Sequence, residues 1–182
     1  MDRSNHYEAA FEAYLQWHKL CYVGVDETRR AMMGEVRIKS LDFIVYGPTG
    51  ARLLVDVKGR RFPTGSKAKP RRVWECWSTQ DDIDGLRRWS ELSGPGYRGL
   101  LVFAYLLAPE VAVPEDTDDL WTWRGRRYLL RAIAVDHYRQ HMRVRSPKWQ
   151  TVTLPRSAYR AFVQPFHHFT QAAQPLAQGC PF

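Results

Sequence analysis

The sequence predicts an α/β fold, because helix-like and strand-like segments alternate along the chain. Residues 4–19 carry apolar side chains at helical spacing, starting from an N-cap at Ser4 or Asn5. A second helical pattern of about 14 residues begins after Thr79. Residues 99–107 form a nearly uninterrupted apolar run, which is typical of a central strand covered on both faces.

The composition of the chain indicates its size class, its kind of partner and its compartment. The chain has 182 residues, enough for one domain with its own core, and its formal net charge of +8 favours a polyanionic partner. Its 3 cysteines form no CxxC pair, which indicates a reducing compartment and no zinc site. No apolar run approaches the roughly 18 residues of a membrane span, and no signal-peptide pattern is visible. We therefore predict a cytoplasmic protein without a membrane partner.

Two aspartates and a lysine lie inside two apolar, strand-like runs, residues 41–46 and 53–58. A charged side chain that is buried without compensation costs several kcal/mol, so these residues predict a divalent metal or an ion pair. The alternative is that Asp42 and Asp56 face solvent from an edge strand and that Lys58 is their salt-bridge partner. The apolar neighbours of Asp56 favour a central strand, and therefore the first interpretation.

The Gly-Pro-Thr-Gly segment between the two runs has the composition of a hairpin turn. Closing the hairpin with Tyr46 opposite Arg52 stacks the apolar side chains and places Asp42 opposite Asp56. Directly opposed residues have Cβ atoms about 4.5 to 5.5 Å apart, so two carboxylates there can share one hard cation. Lys58 would lie beside that cation, where it can bind a phosphate or polarise a water.

A lone acid, a hairpin turn and an Asp-x-Lys sequence, after a helix that carries a glutamate, resemble the PD-(D/E)xK nuclease superfamily over roughly residues 5–107. That superfamily includes many restriction enzymes and the archaeal-type Holliday junction resolvases. The opening, residues 6–12, also looks like a group of uncharacterised bacterial proteins placed in the superfamily. By this resemblance Asp42 takes the place of the first acid, Asp56 that of the second, and Lys58 that of the lysine.

The resemblance implies a restriction-endonuclease-like αβββαβ core, with a mixed central sheet flanked by helices. We expect residues 1–108 to form this core. Residues 109–163 would form a C-terminal β/α extension that packs on the core within one domain. Residues 164–182 contain three prolines and read as a flexible tail.

The resemblance also implies a nuclease that hydrolyses phosphodiester bonds in DNA with Mg²⁺ or Mn²⁺, with structured or branched DNA among its candidate substrates. Asp42, Asp56 and the Val57 backbone carbonyl would hold the cation. A homodimer is a further expectation, because two symmetric cuts need two sites. One alternative is a non-catalytic nucleic-acid-binding protein on the same scaffold. Another is an interaction subunit that uses its 7 tryptophans in a partner interface.

Glu8 has two interpretations. By resemblance it matches the helix-borne acid that some members use as an additional catalytic or metal ligand. Its position three residues after Asn5 equally predicts a capping-box acid that reaches back to the Asn5 amide. A capping glutamate points toward the start of the helix, whereas a ligand must point toward Asp42 and Asp56.

A basic segment follows Lys58 and predicts an open loop at the mouth of the proposed site, because it has glycine and proline and no acid. Phosphate contact is the sharper interpretation of this segment, and a solvated loop is the alternative. Residues 73–78 then alternate like another strand before the second helix, whose third position is Asp82. The candidate nucleic-acid-binding residues of the loop are Arg60, Arg61, Lys67, Lys69, Arg71 and Arg72.

Residues 137–149 interleave basic and aromatic side chains. Arg145 and Lys148 can pair with phosphates while Trp149 or Tyr138 stacks on a base, a combination found in single-strand and structured-DNA channels. The alternative is an amphipathic surface segment whose aromatic side chains fill the core. Before it, residues 120–135 predict a hairpin around an Arg-Gly-Arg-Arg tip, preceded by an acidic loop.

Overall fold

The computed structural model describes residues 5–25, 32–33, 36–37, 40–66, 68–114 and 116–171. The helices are α1 His6–Trp17, α2 Gln80–Ser93, α3 Val135–His141, α4 Arg156–Phe162 and α5 Phe166–Gln171. The strands are β1 Cys21–Gly24, β2 Met32–Met33, β3 Val36–Arg37, β4 Phe43–Tyr46, β5 Arg52–Phe62, β6 Thr64–Ser66, β7 Lys69–Arg71, β8 Ser78–Thr79, β9 Tyr97–Leu107, β10 Leu120–Trp123, β11 Arg126–Ala134, β12 Arg143–Ser146, β13 Thr151–Thr153 and β14 Gln164–Pro165.

The main sheet of the described residues has seven strands in the order β1-β4-β5-β9-β11-β10, with β14 also paired to β11. Strands β5 and β9 run parallel, and the other neighbouring pairs are antiparallel. The sheet is therefore mixed. The succession α1, β1, β4, β5, α2, β9 has the predicted αβββαβ order, and β11 extends the same sheet beyond β9.

Helices cover both faces of the sheet. On one face, α1 packs Phe11 against Phe43 and Phe166, with ring centroids 5.3 and 4.9 Å apart. On the other face, α2 buries Ile83 and Leu86 in a separate core with the remaining side chains of β5 and β9. Strand β5 is consequently buried on both faces, as its apolar sequence predicted.

Helix α1 begins where the sequence predicted, at the Asn5 N-cap, whose side chain accepts a hydrogen bond from the Tyr7 amide at 3.1 Å. Helix α2 begins at a reciprocal capping box. Thr79 Oγ1 accepts from the Asp82 amide at 3.1 Å, and Asp82 Oδ2 accepts from the Thr79 amide at 3.0 Å. Gly94, with φ of 83°, follows the last residue of α2 and ends the helix in a backbone conformation that favours glycine.

The predicted strand over residues 73–78 is wrong, since only Ser78 and Thr79 are in a strand, and it belongs to a small sheet with β12 and β13. Backbone carbonyls of this segment accept hydrogen bonds from buried tyrosine hydroxyls and not from a neighbouring strand. Tyr105 Oη donates to the Glu75 carbonyl at 3.1 Å, and Tyr138 Oη donates to the Cys76 carbonyl at 2.7 Å. Side chains from distant strands and helices thus satisfy backbone groups that a local pattern assigned to a sheet.

The predicted open loop after Lys58 is also different in the structure. Strand β5 continues through Phe62 and pairs with β9 along its whole length. Strands β6 and β7 then form a hairpin, with Thr64 opposite Arg71. Arg60 and Arg61 consequently lie on the central strand and not on a mobile loop.

The predicted flexible tail is wrong for residues 164–171. Strand β14 pairs with β11, and α5 buries Phe166 completely and Phe169 almost completely against the sheet face that α1 covers. Burial of one such side chain contributes about 1.5 to 3 kcal/mol, which outweighs the breaking effect of a single proline at a strand edge. Residues 172–182 lie outside the described residues. Within the described part of the chain, no helix is long and apolar enough to cross a membrane.

Candidate functional site

The β4–β5 hairpin has the predicted register, with Tyr46 opposite Arg52 and Phe43 opposite Val55. Asp42 immediately precedes β4 and is buried, with 3% of its surface exposed. Its amide donates to the Val55 carbonyl at 2.9 Å, and its Oδ2 accepts from the Val57 amide at 2.6 Å. The Asp42 carboxylate therefore lies against β5 at the position that follows Asp56.

Lys58 brings two further carboxylates together on the α2 side of β5. Its Nζ lies 2.8 Å from Asp56 Oδ2 and 3.0 Å from Asp82 Oδ2. The exposed fractions of these side chains are 16% for Lys58, 11% for Asp56 and 4% for Asp82. We call Lys58, Asp56 and Asp82 the ion cluster. Buried charges of this kind are tolerated only when they are paired and hydrogen-bonded, which is what the two short contacts provide.

The ion cluster fixes the protonation state of its lysine. Burial by itself would lower the pKa of Lys58, but the carboxylates of Asp56 and Asp82 outweigh it and raise that pKa above the ordinary lysine value. Lys58 is therefore an ammonium ion at neutral pH. It can donate hydrogen bonds to a phosphate and balance negative charge, and it cannot act as a general base.

Asp82 is a site residue that the sequence interpretation missed. The sequence assigned it only a position in the first turn of α2, yet its Oδ2 accepts from Ser78 Oγ at 2.8 Å and from the Thr79 amide while it pairs with Lys58. The capping pattern was a visible signal that this carboxylate turns back over the helix start. Its contact with Lys58 depends on α2 lying across β5, which no local pattern reports.

The Val57 carbonyl is oriented toward the same region. In an extended strand the N–H and C=O of one residue point to the same edge, and the Val57 amide points to Asp42. Carboxylate and carbonyl oxygens are the ligands that Mg²⁺ prefers. Within the described residues, no group of three or more His, Cys, Asp or Glu side chains is placed to share a metal ion. The oxygen donors that the sequence predicts for a cation, Asp42, Asp56 and the Val57 carbonyl, would therefore need water or substrate oxygens to complete its coordination.

Glu8 points in the direction that the capping interpretation predicted. Its Oε1 accepts a hydrogen bond from the Asn5 side-chain Nδ2 at the start of α1. Helix α1 packs on the Val55 and Val57 face of β5, whereas Lys58 contacts Asp82 of α2 on the other face. A role for Glu8 as an additional ligand stays a prediction.

The predicted basic residues divide into buried and exposed ones. The guanidinium of Arg60 donates to the Gly59 carbonyl at 2.7 Å and to the Trp77 carbonyl, and it lies 3.9 Å from the centre of the Trp77 ring. Arg60 therefore fixes the segment before β8, and its guanidinium is already engaged. Lys67 lies outside the described residues. The side chains of Arg61, Lys69, Arg71 and Arg72 are exposed.

A cleft of about 1020 Å³ opens beyond the end of β5, between the β6–β7 hairpin and the β10–β11 turn. Arg61 and Arg126 line it, and both are exposed. Arg127 also lines the cleft, but its guanidinium donates to the carbonyls of Pro109 at 3.0 Å and Val111 at 2.8 Å. Arg61 and the hairpin-tip residues Arg126 and Arg127 thus form a basic wall, which the sequence interpretation did not bring together.

The two aromatic candidates of the basic-aromatic segment have opposite environments. Tyr138 is completely buried and donates to two backbone carbonyls, so it belongs to the core and cannot stack on a base. Trp149 is 70% exposed, and Lys148 Nζ lies 5.5 Å from the centre of its ring. Arg145 lies 5.0 Å from the centre of the Trp77 ring. Of the two aromatic side chains, only Trp149 remains a candidate for stacking on a base.

No protein-family sequence model matches this chain, and no curated protein matches it in sequence. Among solved structures, the chain is similar to Hjc from Archaeoglobus fulgidus, a Holliday junction resolvase from an archaeal hyperthermophile. The two proteins share 13% sequence identity with a TM-score of 0.50, over 90% of this chain and 98% of Hjc. This chain has a restriction-endonuclease-like fold. The similarity confirms the predicted fold class, and at this identity it concerns the fold alone.

Proposed function

We propose that this chain is a divalent-metal-dependent nuclease that hydrolyses phosphodiester bonds in DNA. The observation that carries the proposal is that one strand of a restriction-endonuclease-like sheet, β5, holds the Lys58–Asp56 ion pair and, at the intervening Val57 amide, binds the carboxylate of Asp42. Buried charges are costly in a central strand, and a phosphodiesterase centre is a use that accounts for all three.

The donor set fits Mg²⁺ or Mn²⁺. Asp42 and Asp56 would supply carboxylate oxygens, and Val57, whose amide donates to Asp42 Oδ2, would supply a carbonyl oxygen. Mg²⁺ usually keeps several waters and takes one or two protein carboxylates together with substrate phosphates, so a set of two acids is sufficient. When bound, such a cation lowers the pKa of a water and polarises the scissile phosphate.

Lys58 supplies positive charge to the reaction. Its ammonium can donate a hydrogen bond to a phosphate oxygen and stabilise the negative charge that develops there. Asp82 holds the lysine from the α2 side, so Lys58 keeps one anionic partner when Asp56 is engaged elsewhere. We therefore assign Lys58 a catalytic role and Asp82 a positioning role.

DNA is the substrate class that the surface and the comparison favour. The exposed side chains of Arg61, Lys69, Arg71 and Arg72 follow Lys58 along the chain, and clustered cations of this kind attract a polyanionic backbone. The similarity to Hjc supports branched DNA among the substrates. A homodimer follows as an expectation from symmetric cutting of a junction, and a cytoplasmic location follows from the cysteine content.

A non-catalytic DNA-binding protein is the second candidate, and one observation favours it. The Lys58 ammonium already contacts Asp56 at 2.8 Å, so it can neutralise the acid that a cation would otherwise need. In that case the ion cluster would be a structural feature retained on a nuclease scaffold.

Cleavage assays separate the two candidates. The full chain is incubated with Mg²⁺, Mn²⁺ or EDTA on single-stranded, linear duplex and four-way junction DNA, alongside Asp42→Asn and Asp56→Asn. We expect metal-dependent cleavage by the wild type and losses of at least about 1000-fold in both variants, since a metal centre contributes several kcal/mol and each 1.36 kcal/mol is tenfold.

Asp84→Asn is the matched control, because Asp84 is an exposed acid on α2, and it should cleave like the wild type. DNA binding by Asp42→Asn should persist, which shows that the variant is folded. A wild type that binds DNA but cleaves none of these forms with either metal would establish the non-catalytic candidate instead.

A further inference from the structure

Trp149 is an exposed indole on a turn whose backbone is held in place. Its amide donates to Ser146 Oγ at 3.4 Å, and the Gln150 amide donates to the Pro147 carbonyl at 3.2 Å. Gln150 has a φ of 45°, in the left-handed region that residues with side chains seldom adopt. Its carbonyl accepts from the Gln80 amide at 2.8 Å. The turn therefore presents a large, preorganised aromatic surface to solvent.

The Trp149 turn is connected directly to the ion cluster. Gln80, which binds the turn, is the first residue of α2, and Asp82 two positions later holds Lys58 at 3.0 Å. The strand after the turn, β13, pairs with β8 at Val152 and Ser78. Ser78 Oγ in turn donates to Asp82. A continuous series of hydrogen bonds thus places the turn beside the helix terminus that positions the proposed catalytic lysine.

The charge of the same segment favours a nucleic-acid strand over a protein partner. Residues 143–149 contain three exposed cations, Arg143, Arg145 and Lys148, and no acid. The cores of protein interfaces are depleted in charged residues, whereas strand-binding surfaces combine cations for phosphates with aromatic rings for bases. Lys148 and Arg145 both lie near aromatic rings, at 5.5 and 5.0 Å from the ring centres.

We infer that the Trp149 turn binds an unpaired nucleotide next to the cleavage site, so that the substrate is DNA with unpaired or splayed bases, such as a single-stranded flank or a branch point. The substrate assignment rests on the proposed function. A base inside a duplex has both faces covered by its neighbours, so only an unpaired base can stack on the indole. Arg143 and Arg145 would contact phosphates of the same strand.

Binding measured in EDTA tests the inference without cleavage. Fluorescein-labelled oligothymidine, a forked duplex and a blunt duplex are titrated with the full chain, Trp149→Ala and Trp149→Phe. We expect Trp149→Ala to bind oligothymidine and the fork roughly 5- to 150-fold more weakly, which corresponds to the loss of one base–aromatic stack. Its affinity for the blunt duplex should be unchanged, and Trp149→Phe should retain most of the affinity for the fork.

Trp17→Ala is the matched control, because Trp17 is 73% exposed but lies at the end of α1. It should bind all three probes like the wild type. Equal weakening on the duplex and the single strand, or no weakening on any probe, would overturn the inference. Self-association without DNA that Trp149→Ala abolishes, measured by analytical ultracentrifugation, would assign the turn to a protein interface and overturn it as well.

The experiments test nucleotide binding by the Trp149 turn separately from the proposed nuclease activity. If the wild type cleaves no DNA and Trp149→Ala binds the fork more weakly than the wild type, the nucleotide site is supported and the nuclease is rejected. A wild type that cleaves DNA, with a Trp149→Ala variant that binds and cleaves the fork normally, rejects the nucleotide site alone.

Discussion

Two clusters with buried carboxylates lie on opposite faces of the main sheet, and their carboxylates have different partners. In the ion cluster, Asp56 and Asp82 share the ammonium of Lys58 beneath α2. On the α1 face, the side chain of Asp119 is 5% exposed and accepts hydrogen bonds from Tyr14 Oη at 2.7 Å and from the His167 amide at 2.9 Å. We call Asp119, Tyr14 and His167 the Asp119 cluster.

The partners of each carboxylate distinguish a structural acid from a candidate site. Asp119 ties α1 to the start of α5, and His167 Nδ1 lies 3.1 Å from its Oδ1, so both oxygens are used by donors fixed on two helices. Asp56 instead accepts from the ammonium of Lys58, which Asp82 also holds and which can donate to a phosphate as well. A buried carboxylate by itself therefore does not identify a site, and the chemistry of its partner is the better indicator.

Removal of the ammonium should have the largest effect. Lys58→Met leaves Asp56 and Asp82 buried without their shared cation, which should lower the free energy of unfolding by about 3 to 5 kcal/mol. Mn²⁺ should restore part of this loss, because a divalent cation can replace the ammonium between carboxylates. Urea unfolding with and without Mn²⁺ measures both effects.

Lys58→Arg controls for charge and should keep most of the stability, whereas Lys69→Met removes an exposed lysine and should have no effect.

The raised pKa of Lys58 also sets the pH dependence of stability. The contribution of Lys58 to the free energy of unfolding is complete below the ordinary lysine pKa of 10.5 and is lost as pH rises through the higher pKa of the folded state. A Lys58→Met variant as stable as the wild type, or one insensitive to Mn²⁺, would contradict a cation-holding ion cluster.

An Asp-to-Asn substitution in each cluster should separate an effect on catalysis from an effect on stability. Asp82→Asn keeps an oxygen for the Thr79 amide but loses its charge toward Lys58, so kcat should fall by roughly 10- to 150-fold, the equivalent of a charged hydrogen bond of 1.5 to 3 kcal/mol. KM should stay unchanged. Steady-state cleavage kinetics give the two constants separately.

Asp119→Asn provides the comparison. It should lower the free energy of unfolding by about 1.5 to 3 kcal/mol, since its amide cannot accept all of the same bonds, and leave kcat at the wild-type value. The assignment of the ion cluster to catalysis and of the Asp119 cluster to stability would be contradicted by a lower kcat in Asp119→Asn. It would also be contradicted by an Asp82→Asn variant with an altered KM and a normal kcat.

The local patterns of the sequence predicted the parts of the fold that rest on neighbours along the chain. The Asn5 N-cap, the helix start after Thr79 and the β4–β5 hairpin depend on spacing and turn chemistry, and all three are present in the structure. The hairpin register followed from stacking apolar side chains. The position of Asp42 beside β5 then followed from that register.

Contacts between distant segments account for what the sequence interpretation missed. Residues 73–78 alternate like a strand, but the hydroxyls of Tyr105 and Tyr138 bind their carbonyls. Phe166 finds its partners on α1, which no pattern near residue 166 reveals. Asp82 likewise acquires its contact with Lys58 only when α2 crosses β5.

The smallest expected effect belongs to the edge of the Asp119 cluster. Burial, and next the nearby Asp119 carboxylate, raise the pKa of Tyr14, so its hydroxyl stays protonated and donates to Asp119 at all physiological pH values. Tyr14→Phe removes that donor but leaves Asp119 its two His167 partners and leaves the aromatic packing against Phe11 and Phe166, so the free energy of unfolding should fall by only about 1 kcal/mol. DNA cleavage and fork binding should match the wild type. A loss of several kcal/mol, or any loss of cleavage, would mean that the α1 face supports the candidate active site and that the ion cluster and the Asp119 cluster are coupled through β5.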